Sequence, residues 1–194
     1  MEYYDKFYRE FAENTVNIDM TSIYLPFLDM LKVESSILDL GCGSGRDLKY
    51  FKDKGYKVIG LEPSRNLANF ARHYSKCEVI KQTIQEYDSN GKLDGIWACA
   101  SLLHLDTKTL KMVLKKVSGL MHKGSAFYCS FKHGMFEGER NGRFFNDQTI
   151  ESFSKILPSS LQLVKSWITK DQRPNRKDMW LNLISTKSNR DRQS

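Results

Sequence analysis

Hydrophobic positions follow two different periods along the chain. Tyr4, Phe7, Tyr8 and Phe11 recur at helical spacing and predict an amphipathic helix over Glu2 to Glu13. Tyr24, Leu25, Leu28 and Leu31 predict a second helix, with Thr21 or Ser22 as its N-cap. From Ser36 the pattern changes to a short apolar run, SILDL, then a glycine cluster, GCGSG, and a helical segment, RDLKYFKDKG, that Gly55 ends. YKVIGL is read as a buried strand, and Pro63 with Ser64 opens a helix through Tyr74.

The remaining pattern continues the alternation. A weak strand at Glu78 to Ile80 is separated by the SNGK turn from a strong one, DGIWACA, starting at Asp94. Leu110, Val113, Leu114, Val117, Leu120 and Met121 share one face of a helix from Thr107 that Lys123 and Gly124 stop. SAFYCSF is the fifth strand, and KHGMFEGERNGRFF reads as an unusually long loop before a helix near Gln148 to Leu157. Leu161 to Trp167 and Met179 to Thr186 read as a closing strand pair joined by the basic stretch KDQRPNRKD. These elements predict an α/β fold with a Rossmann-like, seven-stranded, mostly parallel sheet, helices on both faces and an antiparallel C-terminal strand. One domain is expected over 1–186, its first 33 residues a helical lid, with a disordered tail at 187–194.

Composition narrows the class without naming the task. Hydrophobic residues make up 40% and charged residues 27%, as in an ordinary globular protein. The N-terminus lacks the basic start and apolar run of a secretory signal, and no apolar stretch approaches the roughly 20 residues of a membrane span. A cytoplasmic chain with no membrane partner is expected. Cys42, Cys77, Cys99 and Cys129 form no CxxC pair, so neither a disulfide framework nor a metal site is predicted. Of the net charge of +7, residues 165–194 carry +5, from 8 Lys or Arg against 3 Asp or Glu.

The strongest chemical signal is ILDLGCGSGRD, with Gly41, Gly43 and Gly45 between a strand and a helix. Glycine can adopt positive φ, and without a Cβ it lets a ligand lie against exposed backbone amides. A dinucleotide fingerprint would need a glycine where Arg46 stands, and a P-loop would need a closing Lys-Ser or Lys-Thr pair. Asp39 precedes the turn, and Glu62 follows it by roughly twenty residues, at the end of the second strand, where an acid can accept both hydroxyls of a ribose. A solvated strand-end charge is the competing reading of Glu62.

Together these residues resemble the first two motifs of the class I S-adenosylmethionine-dependent methyltransferases, and the resemblance spans about residues 36 to 131. It implies S-adenosylmethionine as cofactor and S-adenosylhomocysteine as product. It sets Gly41, Cys42, Gly43 and Gly45 behind the methionine part, Asp39 at the turn or at the cofactor's amino group, Glu62 on the ribose and Pro63 beside adenine. Thr83, Ile84 and Gln85 fall where the family contacts adenine, although the acid frequent in that motif is missing here. LDGIWACASLLHL resembles the fourth strand and its turn, which sets Ala98, Cys99 and Leu103 beside the cofactor.

Methyl transfer from a sulfonium chiefly requires alignment, and a general base only where the acceptor must lose a proton early. His104 and His133 are the catalytic candidates, with Glu137 and Asp19 as further bases; packing and exposure are the bland alternatives for the two histidines. Lys132, Arg143, Arg173 and Trp180 are the candidate acceptor-facing residues, in segments that also hold Arg140, Phe144, Phe145, Asp171 and Arg176. Arginines and aromatics suit an anionic or planar small molecule. The basic C-terminal segment leaves a second reading, an RNA (tRNA or rRNA) methyltransferase, and intact glycine motifs also allow a non-catalytic cofactor-binding module. The pattern shows no dimer seam and leaves the oligomeric state open.

Overall fold

The computed structural model describes residues 2–89, 91–173 and 176–188. Its first five strands are β1 (Ser36–Leu40), β2 (Lys57–Leu61), β3 (Glu78–Ile80), β4 (Leu93–Ala98) and β5 (Met121–Lys132). With β8 (Leu161–Lys170) and β9 (Met179–Lys187) they form one seven-stranded sheet in the order β3-β2-β1-β4-β5-β9-β8. Pairing is parallel from β3 through β5, while β9 runs antiparallel to both β5 and β8. This is the fold class the alternating pattern predicts.

Side-chain alternation along the central strands splits the interior into two layers. Leu38, Leu40, Ile96, Ala98, Phe127 and Cys129 point into an aliphatic layer covered by α6 (Thr107–Leu120) and α7 (Ile150–Ile156). Ile37, Trp97 and Tyr128 point to the opposite face, where α3 (Thr21–Leu28) and α4 (Arg46–Asp53) add Tyr24, Phe27 and Phe51. Trp97 and Tyr128 stack with centroids 3.8 Å apart, a pairing that contributes about 0.5–1.5 kcal/mol beyond its buried area. The remaining long helix, α5 (Arg65–Ser75), is capped by Ser64, whose hydroxyl accepts from the Leu67 amide at 3.2 Å.

Several boundaries differ from the sequence pattern. The first predicted helix is two, α1 (Glu2–Lys6) and α2 (Tyr8–Glu13), interrupted at Phe7. Strand β5 begins at Met121, directly after α6, rather than at Ser125. The long charged loop after it contains a β-hairpin, β6 (Glu137–Arg140) and β7 (Arg143–Asn146). Asn141 and Gly142 between them have φ of 52° and 72°, the left-handed pair of a type I′ turn. At the C-terminus β9 includes Lys187, and the Ser188 amide bonds to the Ser160 carbonyl, so the first two residues of the expected tail are ordered; 189–194 lie outside the described residues. Among the described residues, no helix is long and apolar enough to cross a membrane.

Candidate functional site

A cavity of about 910 Å³ opens at the carboxyl ends of β1 to β4. Its floor is the glycine turn. The amides of Gly41 and Cys42 both donate to the Leu61 carbonyl, at 2.8 and 3.0 Å, which ties the turn to β2. Gly41, Gly43 and Gly45 all have positive φ, between 55° and 79°. A Cβ on Gly41 would lie 2.6 Å from Ser101 Cβ, so this position also excludes a side chain by contact.

Three buried carboxylates support that floor. Glu62 is 6% exposed, and its carboxylate accepts from the Gly43 amide at 3.0 Å and the Ser64 amide at 2.9 Å. Burial raises the Glu62 pKa, and the two amides pull it back. Beneath the turn, Asp39 is 2% exposed and its Oδ2 has no hydrogen-bond partner among the described residues. Burial and the nearby Asp47 charge push its carboxyl well above the usual range, against the pull of Arg46. Asp47 accepts from Tyr24 Oη at 2.6 Å, Arg46 Nε at 2.5 Å and Trp97 Nε1 at 2.8 Å. Burial opposes its charge, but Arg46 with these hydrogen bonds holds its pKa below the ordinary value.

Most of the predicted cofactor residues share one wall. Gly41, Cys42, Gly43, Glu62, Pro63, Thr83, Ile84, Gln85, Cys99 and Leu103 line the cavity. Burial pushes the Cys99 thiol up to about 12, so it meets the cavity uncharged. Gly45 sits behind the wall, where a Cβ would meet the Ala71 backbone at 3.0 Å. Asp39 supports the turn from below rather than lining the space. Ala98, fully buried in the aliphatic layer, is not among the residues that line the cavity.

The opposite wall comes from distant parts of the chain. Lys132, Arg143, Arg173 and Trp180 line it, as do Phe144, Phe145, Asp171, Arg176 and Asp178. Lys132 pairs with Asp178 at 3.0 Å, and Arg173 forks onto both oxygens of Asp171 at 2.9 and 2.5 Å. Trp180 Nε1 donates to the same Asp171 carboxylate at 3.1 Å. The N-terminal helices close the remaining side with Tyr4 and Phe11. They are anchored by Asp5, which accepts from Ser64 Oγ at 2.6 Å and the Asn66 amide at 3.1 Å, and by a 2.9 Å contact between Thr15 and Ser44 hydroxyls.

Of the four candidate bases, only His104 lines the cavity. His133 is exposed and outside it, because β5 sends Lys132 inward and the next residue faces the other way. Glu137 accepts from the amide and hydroxyl of Thr107, both at 2.8 Å, and so caps α6. Asp19 is exposed and accepts from the Thr21 amide at 2.8 Å. Residues the sequence pattern did not single out for the site include Arg46, Asp47, Asp5 and Tyr4. Their one visible signal is the Arg46-Asp47 pair directly after the glycine turn.

A family model described as a methyltransferase domain matches residues 37–124. No curated protein matches the chain. Among solved structures, a Burkholderia thailandensis 1,6-didemethyltoxoflavin-N1-methyltransferase, crystallised with its named ligand and S-adenosylhomocysteine, is similar at 18% identity and a TM-score of 0.79, covering 97% of this chain and 87% of its own. The N-methyltransferase NodS from Bradyrhizobium japonicum WM9, with S-adenosylhomocysteine, matches at 13% identity and TM-score 0.74, covering 94% and 97%. Magnesium protoporphyrin IX methyltransferase from Synechocystis PCC 6803, with S-adenosylmethionine, matches at 17% and 0.70, covering 94% and 83%. The resemblance to class I methyltransferases drawn from the glycine motif therefore extends to the fold of nearly the whole chain.

Proposed function

We propose, from the match of residues 37–124 to a methyltransferase domain and from the geometry of the cavity, that the chain binds S-adenosylmethionine and moves the methyl group to a small-molecule acceptor. The observation that carries the proposal is the direct bond between the Gly43 amide and the Glu62 carboxylate, which joins turn and acid into one cradle. An ionised carboxylate has about four lone-pair sites, so two remain for ribose hydroxyls after the Gly43 and Ser64 bonds. Asp39 Oδ2, buried beneath the turn with no hydrogen-bond partner among the described residues, is left as an acceptor for a donor above it. Arg46 on the same wall suits the ligand's carboxylate.

When bound, the cofactor supplies a sulfonium methyl group open to in-line displacement. The chain's own residues orient the reactants: the glycine turn leaves space and amides, Glu62 fixes the ribose, and Ile84 with Pro63 offers apolar surface to the base. Tyr4 and Phe11 cover the opening and exclude water. At about 910 Å³ the cavity lies near the upper end of the roughly 300–1,000 Å³ range of known ligand pockets. The acceptors named for two proteins of the same fold, a didemethyltoxoflavin and magnesium protoporphyrin IX, are small molecules, which favours that class. A cavity walled by α1 and the β6–β7 hairpin suits such a molecule better than an RNA strand.

Glu62→Ala tests the reading. Loss of hydrogen bonds to a charged group, at about 1.5–3 kcal/mol, weakens S-adenosylhomocysteine binding about tenfold to a hundredfold by titration calorimetry. Equal affinity in the two proteins would remove Glu62 from the cofactor site.

A further inference from the structure

Three segments far apart in sequence meet at one edge of the cavity. His104, in the short 3-10 turn after β4, has both ring nitrogens engaged: Nδ1 lies 2.7 Å from the Phe144 carbonyl and Nε2 lies 2.9 Å from Tyr4 Oη. A carbonyl oxygen only accepts, so Nδ1 carries the proton; in the neutral ring Nε2 then presents a lone pair to the Tyr4 hydroxyl. Arg143 Nη1 donates to Tyr4 Oη at 3.2 Å. These three hydrogen bonds therefore run one way, from Arg143 through Tyr4 and His104 to the Phe144 carbonyl. Burial lowers the His104 pKa, and the charges of Arg143 on β7 and Lys132 on β5 lower it further, so the ring is neutral near pH 7.

Resting on the methyltransferase reading, we propose that Tyr4 is a catalytic residue which takes the acceptor's proton while passing its own to His104, and that this relay exists only while α1 is docked. Tyr4, His104 and Arg143 all line the cavity, so the phenol is within the space an acceptor enters. The acceptor's X–H bond breaks, its proton goes to Tyr4 Oη, and the phenolic proton moves to Nε2. The electron pair left on X forms the bond to the methyl carbon of S-adenosylmethionine, and the methyl–sulfur bond pair returns to sulfur, which becomes a thioether. One positive charge leaves sulfur and one appears on the imidazole, so charge balances. Arg143 and Lys132 nearby make that imidazolium short-lived, and its proton returns to solvent when α1 lifts. Asp5, bound to Ser64 and Asn66, holds α1 in the docked position and so keeps Tyr4 in register with His104.

The test has two arms on the full-length protein. In the first, nitrogen NMR of the histidine rings reads His104 directly: the expected state near pH 7 is neutral with the proton on Nδ1, and Tyr4→Phe moves its titration midpoint upward by removing a donor to the lone pair. A proton on Nε2, an imidazolium at neutral pH, or no response to Tyr4→Phe overturns the relay whatever the acceptor is. In the second, labelled methyl transfer from S-adenosylmethionine into the small-molecule fraction of a cell extract is measured for wild type, Tyr4→Phe and His104→Gln. Both variants lose about 10²- to 10⁴-fold in rate and recover part of it at alkaline pH, while S-adenosylhomocysteine affinity stays within about threefold. Wild-type rates in the variants, or a loss of affinity that matches the loss of rate, overturn the relay. Failure of the wild-type protein to bind S-adenosylhomocysteine would instead sink the methyltransferase reading, and the NMR arm would still judge the pair.

Discussion

The two walls of the cavity are held in place by different means. On the glycine side, three acids, Asp39, Asp47 and Glu62, are each less than 8% exposed, and their partners lie mostly on backbone amides or on aromatic side chains of the core. On the opposite side, Lys132 and Arg173 are fixed by acids on the segment between β8 and β9, and Arg143 by a tyrosine 139 residues earlier in the chain. The first wall is an extension of the folding core, so its geometry is fixed by burial. The second is a set of side-chain pairs on the sheet's rim, and its shape can change without disturbing the sheet. In the function proposed above, the first wall would hold the cofactor and the second would fit the acceptor.

Asp47→Ala gives the hardest test of that contrast. Removing one partner of an ion pair out of water costs about 3–5 kcal/mol, because Arg46, only 18% exposed, is left without its carboxylate while the buried Tyr24 and Trp97 lose an acceptor. Urea unfolding should register that loss. A cost below about 1 kcal/mol, the range of exposed pairs, would mean that the glycine-side wall is no more part of the core than the other.

The rim should respond more weakly. Gly142 turns the β6–β7 hairpin at a φ of 72° with open space around it, so Gly142→Ala adds backbone strain but no collision. A left-handed L-residue costs roughly 1–2 kcal/mol, which should appear in the thermal midpoint. S-adenosylhomocysteine affinity should be unchanged in this variant. A fall in affinity equal to that of Glu62→Ala would show that the two walls are one mechanical unit.

The same division decides what could be read from the sequence. The β1 strand, glycine turn and α4 lie within residues 36–53, and Glu62 follows shortly after, so their relation is visible in local pattern. Parallel pairing then brings Asp39 opposite Gly60 and carries the chain to Glu62. The hairpin escaped because EGER and RFFN lack apolar alternation; the Asn141-Gly142 turn was its one signal. Strand parity, not loop membership, determines that Lys132 faces the cavity while His133 does not. The bond between Tyr4 and His104 crosses 100 residues and depends on how α1 docks, which no local pattern encodes. For Ala98, motif position says which strand it occupies but not which face.

The smallest expected effect separates two histidines with opposite linkage to folding. His122, on the exposed end of β5 away from the cavity, bonds to Asp94 at 2.8 Å, and that bond raises its pKa. Its contribution is fully present below the unfolded value of about 6.5 and disappears as pH rises through the folded pKa. His104 has a lowered folded pKa, mainly from burial, so it costs nothing above about 6.5 and destabilises the fold progressively as pH falls from there toward its own pKa. In the wild-type protein the two partly cancel on the acid side. Removing His122 with His122→Gln should make the acid loss of stability steeper, whereas His104→Gln should make it shallower, as followed by the denaturation midpoint across the pH range. The His122 change should be the lesser one, since its ion pair is screened by solvent. Identical slopes in both variants would mean that His104 is solvated like a surface histidine, and the rim wall would then lack the buried anchor that its bond to Tyr4 requires.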